Sequence, residues 1–105
     1  MVSERRQTFV VLEPEVPVMV RVRAARTEDR EIRDPRTRAI KVVTVLVLEL
    51  SEVNGELRQT ELSLTSRNAQ DQLQPWISSG ELMRRRLQIT LRGHGYATEY
   101  ETLLL

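Results

Sequence analysis

The chain has 105 residues, of which 40% are apolar and 30% charged, and this balance is typical of one globular domain over residues 1–105. It contains no cysteine, which excludes disulfides, thiol catalysis and most structural zinc sites. The net charge is only +1, so no strong overall field attracts polyanions. No apolar run is long enough to span a bilayer, and no signal-peptide core follows the first residues. We therefore expect a cytoplasmic protein with no membrane partner.

Arg dominates the positive charge of the chain. Fifteen of the sixteen basic residues are Arg, and Lys41 is the only lysine. Arg suits bidentate contacts with phosphate and stacking on bases, but a GC-rich genome, or a thermophile with ion pairs on its surface, gives the same bias. Residues 1–38 hold nine Arg against seven acids, and residues 84–105 hold four against two. A basic surface therefore requires a fold that brings the two ends of the chain together.

The first third of the chain predicts one strand and a long charged segment. Residues 1–7 are polar and are expected to be frayed. Valines alternate with other residues over 16–23, which predicts a half-buried strand. Residues 24–38 carry five Arg, four acids and almost no apolar side chain, so we interpret them as a long charged loop or a protruding ribbon. An Asp-Pro step at 34–35 favours a turn within this segment.

Residues 40–64 predict a hairpin. Residues 40–50 have the strongest strand pattern of the chain, with apolar side chains on both faces. This indicates a central strand that is covered on both sides for part of its length. Asn54-Gly55 is a strong signal for a tight turn, and residues 57–64 return as a weaker strand.

One helix is predicted after the hairpin. Apolar residues over 67–78 recur at the spacing of one helical face. Ser66 is a good N-cap, and Gly80 is a natural stop. Pro75 is expected to kink the helix or to end its first stretch.

Two further strands complete the predicted order. Alternating residues indicate strands over 87–91 and 97–103, joined by a glycine-rich turn. The order of strand, long loop, strand, tight turn, strand, helix, strand, turn and strand resembles the oligonucleotide/oligosaccharide-binding (OB) fold. The resemblance covers about residues 8–103 and rests on element order, not on a diagnostic motif. It implies a mainly β fold, a five-stranded Greek-key barrel with one helix between strands three and four.

The resemblance also implies where a ligand would bind. In OB folds the ligand lies on the face of the second and third strands, and the first loop and the last hairpin loop flank that face. By position, these loops are residues 24–38 and 92–96. The candidate nucleic-acid contacts in these segments and in the hairpin are Arg33, Arg36, Arg38, Lys41, Arg58, Arg92, His94 and Tyr96.

The aromatic content departs from that of single-strand binders, which stack bases on aromatic side chains. The chain has only four aromatic residues, and Trp76 falls on the predicted helix, away from the expected groove. This scarcity leaves open a second interpretation, a protein-interaction subunit of a replication, repair or transcription assembly, with a homodimer or another protein as partner. The apolar residues at 103–105 also favour such an assembly role.

No motif predicts catalysis or a cofactor. A lone histidine, His94, cannot form a metal site, which needs several ligands. The sequence contains no P-loop, Ser/His/Asp arrangement or ordered set of carboxylates. We therefore expect no metal, no cofactor and no enzymatic activity. The leading hypothesis is a binder of single-stranded DNA or RNA that contacts phosphates mainly through Arg, with weak sequence preference.

Overall fold

A computed structural model describes residues 10–93 and 99–105 of the chain. The expectation that residues 1–7 are frayed therefore lies outside the described residues, as do His94 and Tyr96. In chain order the elements are β1 (Val18–Arg33), β2 (Ile40–Val53), β3 (Glu56–Leu64), α1 (Arg67–Ser79), a 3₁₀ helix (Glu81–Met83), β4 (Arg86–Arg92) and β5 (Glu99–Leu104).

The five strands form one antiparallel sheet in the order β3-β2-β1-β4-β5. This confirms a mainly β fold with its α-helix between the third and fourth strands. Within the described part of the chain, the end strands β3 and β5 do not pair with each other, so the sheet is open. The five-stranded Greek-key barrel is therefore not confirmed.

The first strand is twice as long as the sequence indicates. Residues 24–33 belong to β1 and pair with β2 from Ala24↔Glu49 to Arg33↔Ile40. The prediction of a long loop is therefore wrong for residues 24–33, which form the protruding ribbon that was the alternative. Much of this strand is polar on both faces because its outer part packs on no core. It consequently lacks the apolar alternation by which a strand is recognised.

The hairpin over 40–64 and its tight turn are confirmed. Asn54 and Gly55 both have positive φ, 50° and 86°, as a two-residue hairpin turn requires. The turn is also fastened to β1, because the Asn54 Oδ1 accepts a hydrogen bond from the Met19 N–H at 2.9 Å. β2 is covered on both faces over 45–48, as predicted.

The main core lies between one face of the sheet and the layer formed by α1 and the 3₁₀ helix. Aliphatic side chains of β1, β2, β3 and β4 meet Leu73 and Leu82 there, and both are fully buried. Val45 and Val47 are also buried but face the other side of β2. The sheet therefore buries apolar side chains on both of its faces at its centre.

Both predicted ends of the helix are confirmed. The Ser66 Oγ accepts a hydrogen bond from the Ala69 N–H at 3.2 Å, and Gly80 has the left-handed conformation of a C-cap. Pro75 does not end the helix, which continues to Ser79. Pro75 lies on the exposed side of α1, so water can solvate the carbonyl that loses its hydrogen-bond donor. None of the helices among the described residues has the length and apolar character to cross a membrane.

Two glutamines of α1 bind the strands at both ends of the open sheet. The Gln70 Nε2 donates to the carbonyls of Leu64 at 2.9 Å and of Thr44 at 3.0 Å. The Gln72 Nε2 donates to the Tyr100 carbonyl at 2.7 Å, and its Oε1 accepts from the Thr102 hydroxyl at 2.7 Å. The helix therefore bridges the β3 side and the β5 side of the sheet.

The substitution Leu73→Ala is expected to lower the free energy of unfolding by about 2 to 5 kcal/mol, because it leaves a cavity beneath the helix. Gln74→Ala, at the exposed neighbouring position, is the control and should change it by less than about 0.5 kcal/mol. Urea denaturation of the two variants measures both effects. Equal midpoints would contradict the packing of α1 against the sheet.

Candidate nucleic-acid interface

The outer parts of β1 and β2 form a two-stranded ribbon that extends beyond the other strands. The first residue of β2 that pairs with β3 is Leu46, opposite Leu64, so residues 40–45 of β2 lie beyond β3. β4 pairs only with the first four residues of β1. We call residues 28–45 the ribbon. Its paired part has six residues on each strand and is therefore on the order of 17 Å long.

A cluster of ion pairs fastens the root of the ribbon to the sheet. Arg26 on β1 is its centre, at 2.9 Å from Glu28, 3.0 Å from Glu49 on β2 and 3.4 Å from Glu61 on β3. Arg30 also binds Glu28 at 2.9 Å, and Arg23 binds Glu49 at 2.7 Å. We call these six residues the ionic cluster: Arg23, Arg26, Arg30, Glu28, Glu49 and Glu61.

The ionic cluster lies on the sheet face opposite the main core. The register pairs Arg26 with Val47 and Glu28 with Val45, so these charged side chains share a face with the two buried valines. Three cations match three carboxylates. The hydrogen bonds from Arg30 and then Arg26 hold the pKa of Glu28 below its ordinary value, so it is ionised at neutral pH. This face therefore offers little unpaired positive charge to a polyanion.

The cations at the tip of the ribbon have no such partners. Arg33, Arg36, Arg38 and Lys41 are exposed and form no ion pair with the described residues. The one acid between positions 33 and 41 is Asp34, which gives this stretch a net charge of +3. The Asp34 carboxylate accepts a hydrogen bond from the Arg36 backbone N–H at 2.8 Å, so it holds the turn together. The structure thus brings together four of the eight predicted contacts.

Arg58 and Arg92, the other two predicted contacts among the described residues, lie elsewhere. Arg58 lies beside the far end of β2, on the order of 30 Å from Lys41 along the strand. It lines a cavity of about 370 Å³ with valines, Glu13 and Asn54. Arg92 is held between Glu15 at 2.8 Å and Glu101 at 2.9 Å, and hydrogen bonds to these two carboxylates raise its pKa. Arg58 and Arg92 therefore do not join the tip group.

Other features of the described residues add no chemistry to the ribbon. The described residues contain no group of three His, Cys, Asp or Glu side chains that could hold a metal ion. Within the run of three arginines at 84–86, Arg85 binds Glu81 at 3.1 Å and Arg86 lies 3.6 Å from Glu52. Sequence reasoning missed the exposure of Ile40 and Val42, which share a face of β2 with the core residues Leu46 and Leu48. The charged residues in 24–38, which lie opposite Ile40 and Val42 in the ribbon, could have indicated that these two side chains are exposed.

The substitution Glu28→Gln is expected to lower the thermal midpoint at pH 7, because a neutral amide holds Arg26 and Arg30 less strongly. The native pKa of Glu28 lies below its ordinary value, so its contribution is complete above that ordinary value and is lost as the pH falls through the native one. The difference from wild type should therefore shrink below about pH 4. Thermal melts at a series of pH values measure it.

Glu31→Gln is the control for this experiment. Glu31 lies on the same strand but forms no ion pair with the described residues, so its substitution should give no comparable difference at pH 7. A Glu28 effect that stays constant into the acid range would show that the carboxylate charge is not its cause.

No protein-family model, no curated protein and no solved structure matches this chain. The resemblance to OB folds therefore stays a prediction from the order of elements in the sequence.

Proposed function

We propose that this chain is an OB-like domain that binds single-stranded nucleic acid through the tip of the ribbon. Arg33, Arg36, Arg38 and Lys41 contact phosphates, and the ionic cluster holds the root of the ribbon in place. The observation that carries the proposal is the separation of paired from unpaired cations. Among the described residues, most Arg side chains outside the ribbon pair with carboxylates, with Arg58 and Arg84 as exceptions, whereas four cations gathered at the tip form no ion pair and can meet phosphate.

The strand arrangement supports the fold part of this proposal. Three consecutive hairpin-connected strands followed by a fourth that lies beside the first define a Greek key. The spatial order β4-β1-β2-β3 agrees with that definition. α1 spans the gap between the two ends of the sheet, as expected for a partly open five-stranded barrel.

The number of free cations sets the expected strength of binding. Four phosphate contacts to a single strand predict that log K falls with log salt with a slope of about −3. Phosphate contacts carry no sequence information, so we expect weak sequence preference. The small net charge of the chain predicts that affinity depends on the tip and not on a general positive field.

The double substitution Arg36→Gln and Arg38→Gln is expected to weaken binding and to reduce the magnitude of the salt slope by about 1.4, because two phosphate contacts are removed. Fluorescence anisotropy of a labelled single-stranded oligonucleotide at several salt concentrations measures both quantities. A duplex of the same length, tested beside it, should bind more weakly.

The matched control is Arg67→Gln with Arg85→Gln. It removes the same charge from two arginines that lie outside the ribbon and pair with carboxylates four residues away. It should leave both affinity and slope near wild type. Wild-type binding that is insensitive to salt, or tip and control variants that behave alike, would overturn the proposal.

A second candidate function is supported by exposed apolar residues outside the ribbon. Val11, Leu57 and Leu103 are 81%, 86% and 52% exposed. Such residues favour a protein-interaction subunit, which binds a second copy or another protein. This candidate predicts indifference to oligonucleotides and self-association or a bound partner. Light scattering over a range of protein concentrations tests the homodimer, and a monomer throughout counts against it.

A further inference from the structure

The ribbon presents an apolar surface that phosphate contacts do not use. Ile40 and Val42 are 57% and 63% exposed. They are two residues apart on one strand and therefore lie side by side on the same face. Ile32 is also exposed, at 46%, but its register partner is Lys41, so it lies on the opposite face. None of the described elements covers the face that carries Ile40 and Val42.

The register places charges around this apolar pair in a definite order. Arg33 lies directly opposite Ile40, and Glu31 lies directly opposite Val42. Side chains at directly opposite positions are roughly 5 Å apart at their Cβ atoms. Positive charge is therefore found toward the tip, where Arg36 and Arg38 add to it, and negative charge toward the body. A polyanion meets attraction at Arg33 and repulsion at Glu31.

We propose that Ile40 and Val42 form a platform for the bases of a single nucleic-acid strand whose phosphates lie on Arg33 and the arginines of the turn. This inference rests on the proposed function and specifies its ligand. A single strand exposes charged phosphates on one side and the faces of its bases on the other, whereas a duplex hides those faces in its stack. The apolar pair beside the tip cations matches both parts of a single strand.

The platform would contact bases without aromatic residues, which are scarce in this chain. Every base has a face, so contact with apolar side chains is tolerant of sequence, as stacking is. Two adjacent β-branched side chains offer a flat, stiff surface in a strand because their χ1 rotation is restricted. Glu31 keeps phosphates away from Val42, so the bases point from the tip toward the body of the molecule.

The test compares two probes that have equal charge. A labelled thymidine oligonucleotide and an abasic oligonucleotide of the same length carry the same phosphates, and only the first has bases. The wild type should bind the thymidine strand roughly ten-fold more tightly. The double substitution Ile40→Thr and Val42→Thr, which keeps β-branched residues and strand propensity, should reduce this ratio to near one. Its salt slope should stay at the wild-type value, because the cations remain.

Ile32→Thr, on the opposite face of the same ribbon, is the control and should keep the wild-type ratio. A loss of preference in this variant equal to that in the double variant would overturn the assignment to the Ile40 face. If the double variant also loses its salt slope, the single substitution Val42→Thr, which lies farther from the turn, is compared on the same two probes. Loss of the preference for thymidine in this variant supports the platform, and a wild-type preference contradicts it.

Failure of the inference is distinguishable from failure of the proposed function. Equal affinity of the wild type for both probes, with a normal salt slope, removes the platform but leaves the phosphate contacts. No salt-dependent binding to either probe removes both. That second result would favour the protein-interaction subunit as the function.

Discussion

The pairing of β1 with β2 is the constraint on which the rest of the structure depends. It runs from Val20↔Val53 to Arg33↔Ile40 and passes through a bulge at 21–24. At its inner end β1 also pairs with β4 and contributes to the core, whereas at its outer end it has only β2 as a neighbour. Backbone donors and acceptors need partners along the whole strand. One ladder therefore builds both the core and the ribbon, and its register decides which side chains share a face at the tip.

Local signals explain which elements could be predicted from the sequence. The Asn54-Gly55 turn, the Ser66 cap and the Gly80 stop act through their own backbone conformation, and all three are where the pattern predicts. The outer half of β1 gives no such signal, because its strand conformation comes from pairing with β2, beyond the turn at 34–39. Its charged residues are equally compatible with a loop until that partner is known.

The interface, like the strands, could be predicted only where its features depend on local sequence and not on contacts between strands. Counting charges identifies the tip arginines as candidates, but it gives Arg92 the same weight. Whether a cation is free depends on carboxylates brought from other strands: Arg26 meets Glu49 and Glu61 across 23 and 35 positions of sequence. Such pairs neutralise the broad face of the sheet and leave the tip charged. The fold thus leaves unpaired positive charge at the tip, although the composition shows a net charge of only +1.

The two glutamines of α1 have a consequence for how the molecule responds to its surroundings. Gln70 and Gln72 hold the helix against both ends of the sheet with neutral amides, whose hydrogen bonds are indifferent to ionic strength and to acidity. The root of the ribbon is held instead by charges that salt screens and acid neutralises. Higher salt or lower pH is therefore expected to weaken the ionic cluster at the root of the ribbon, while the amide hydrogen bonds of α1 are unaffected.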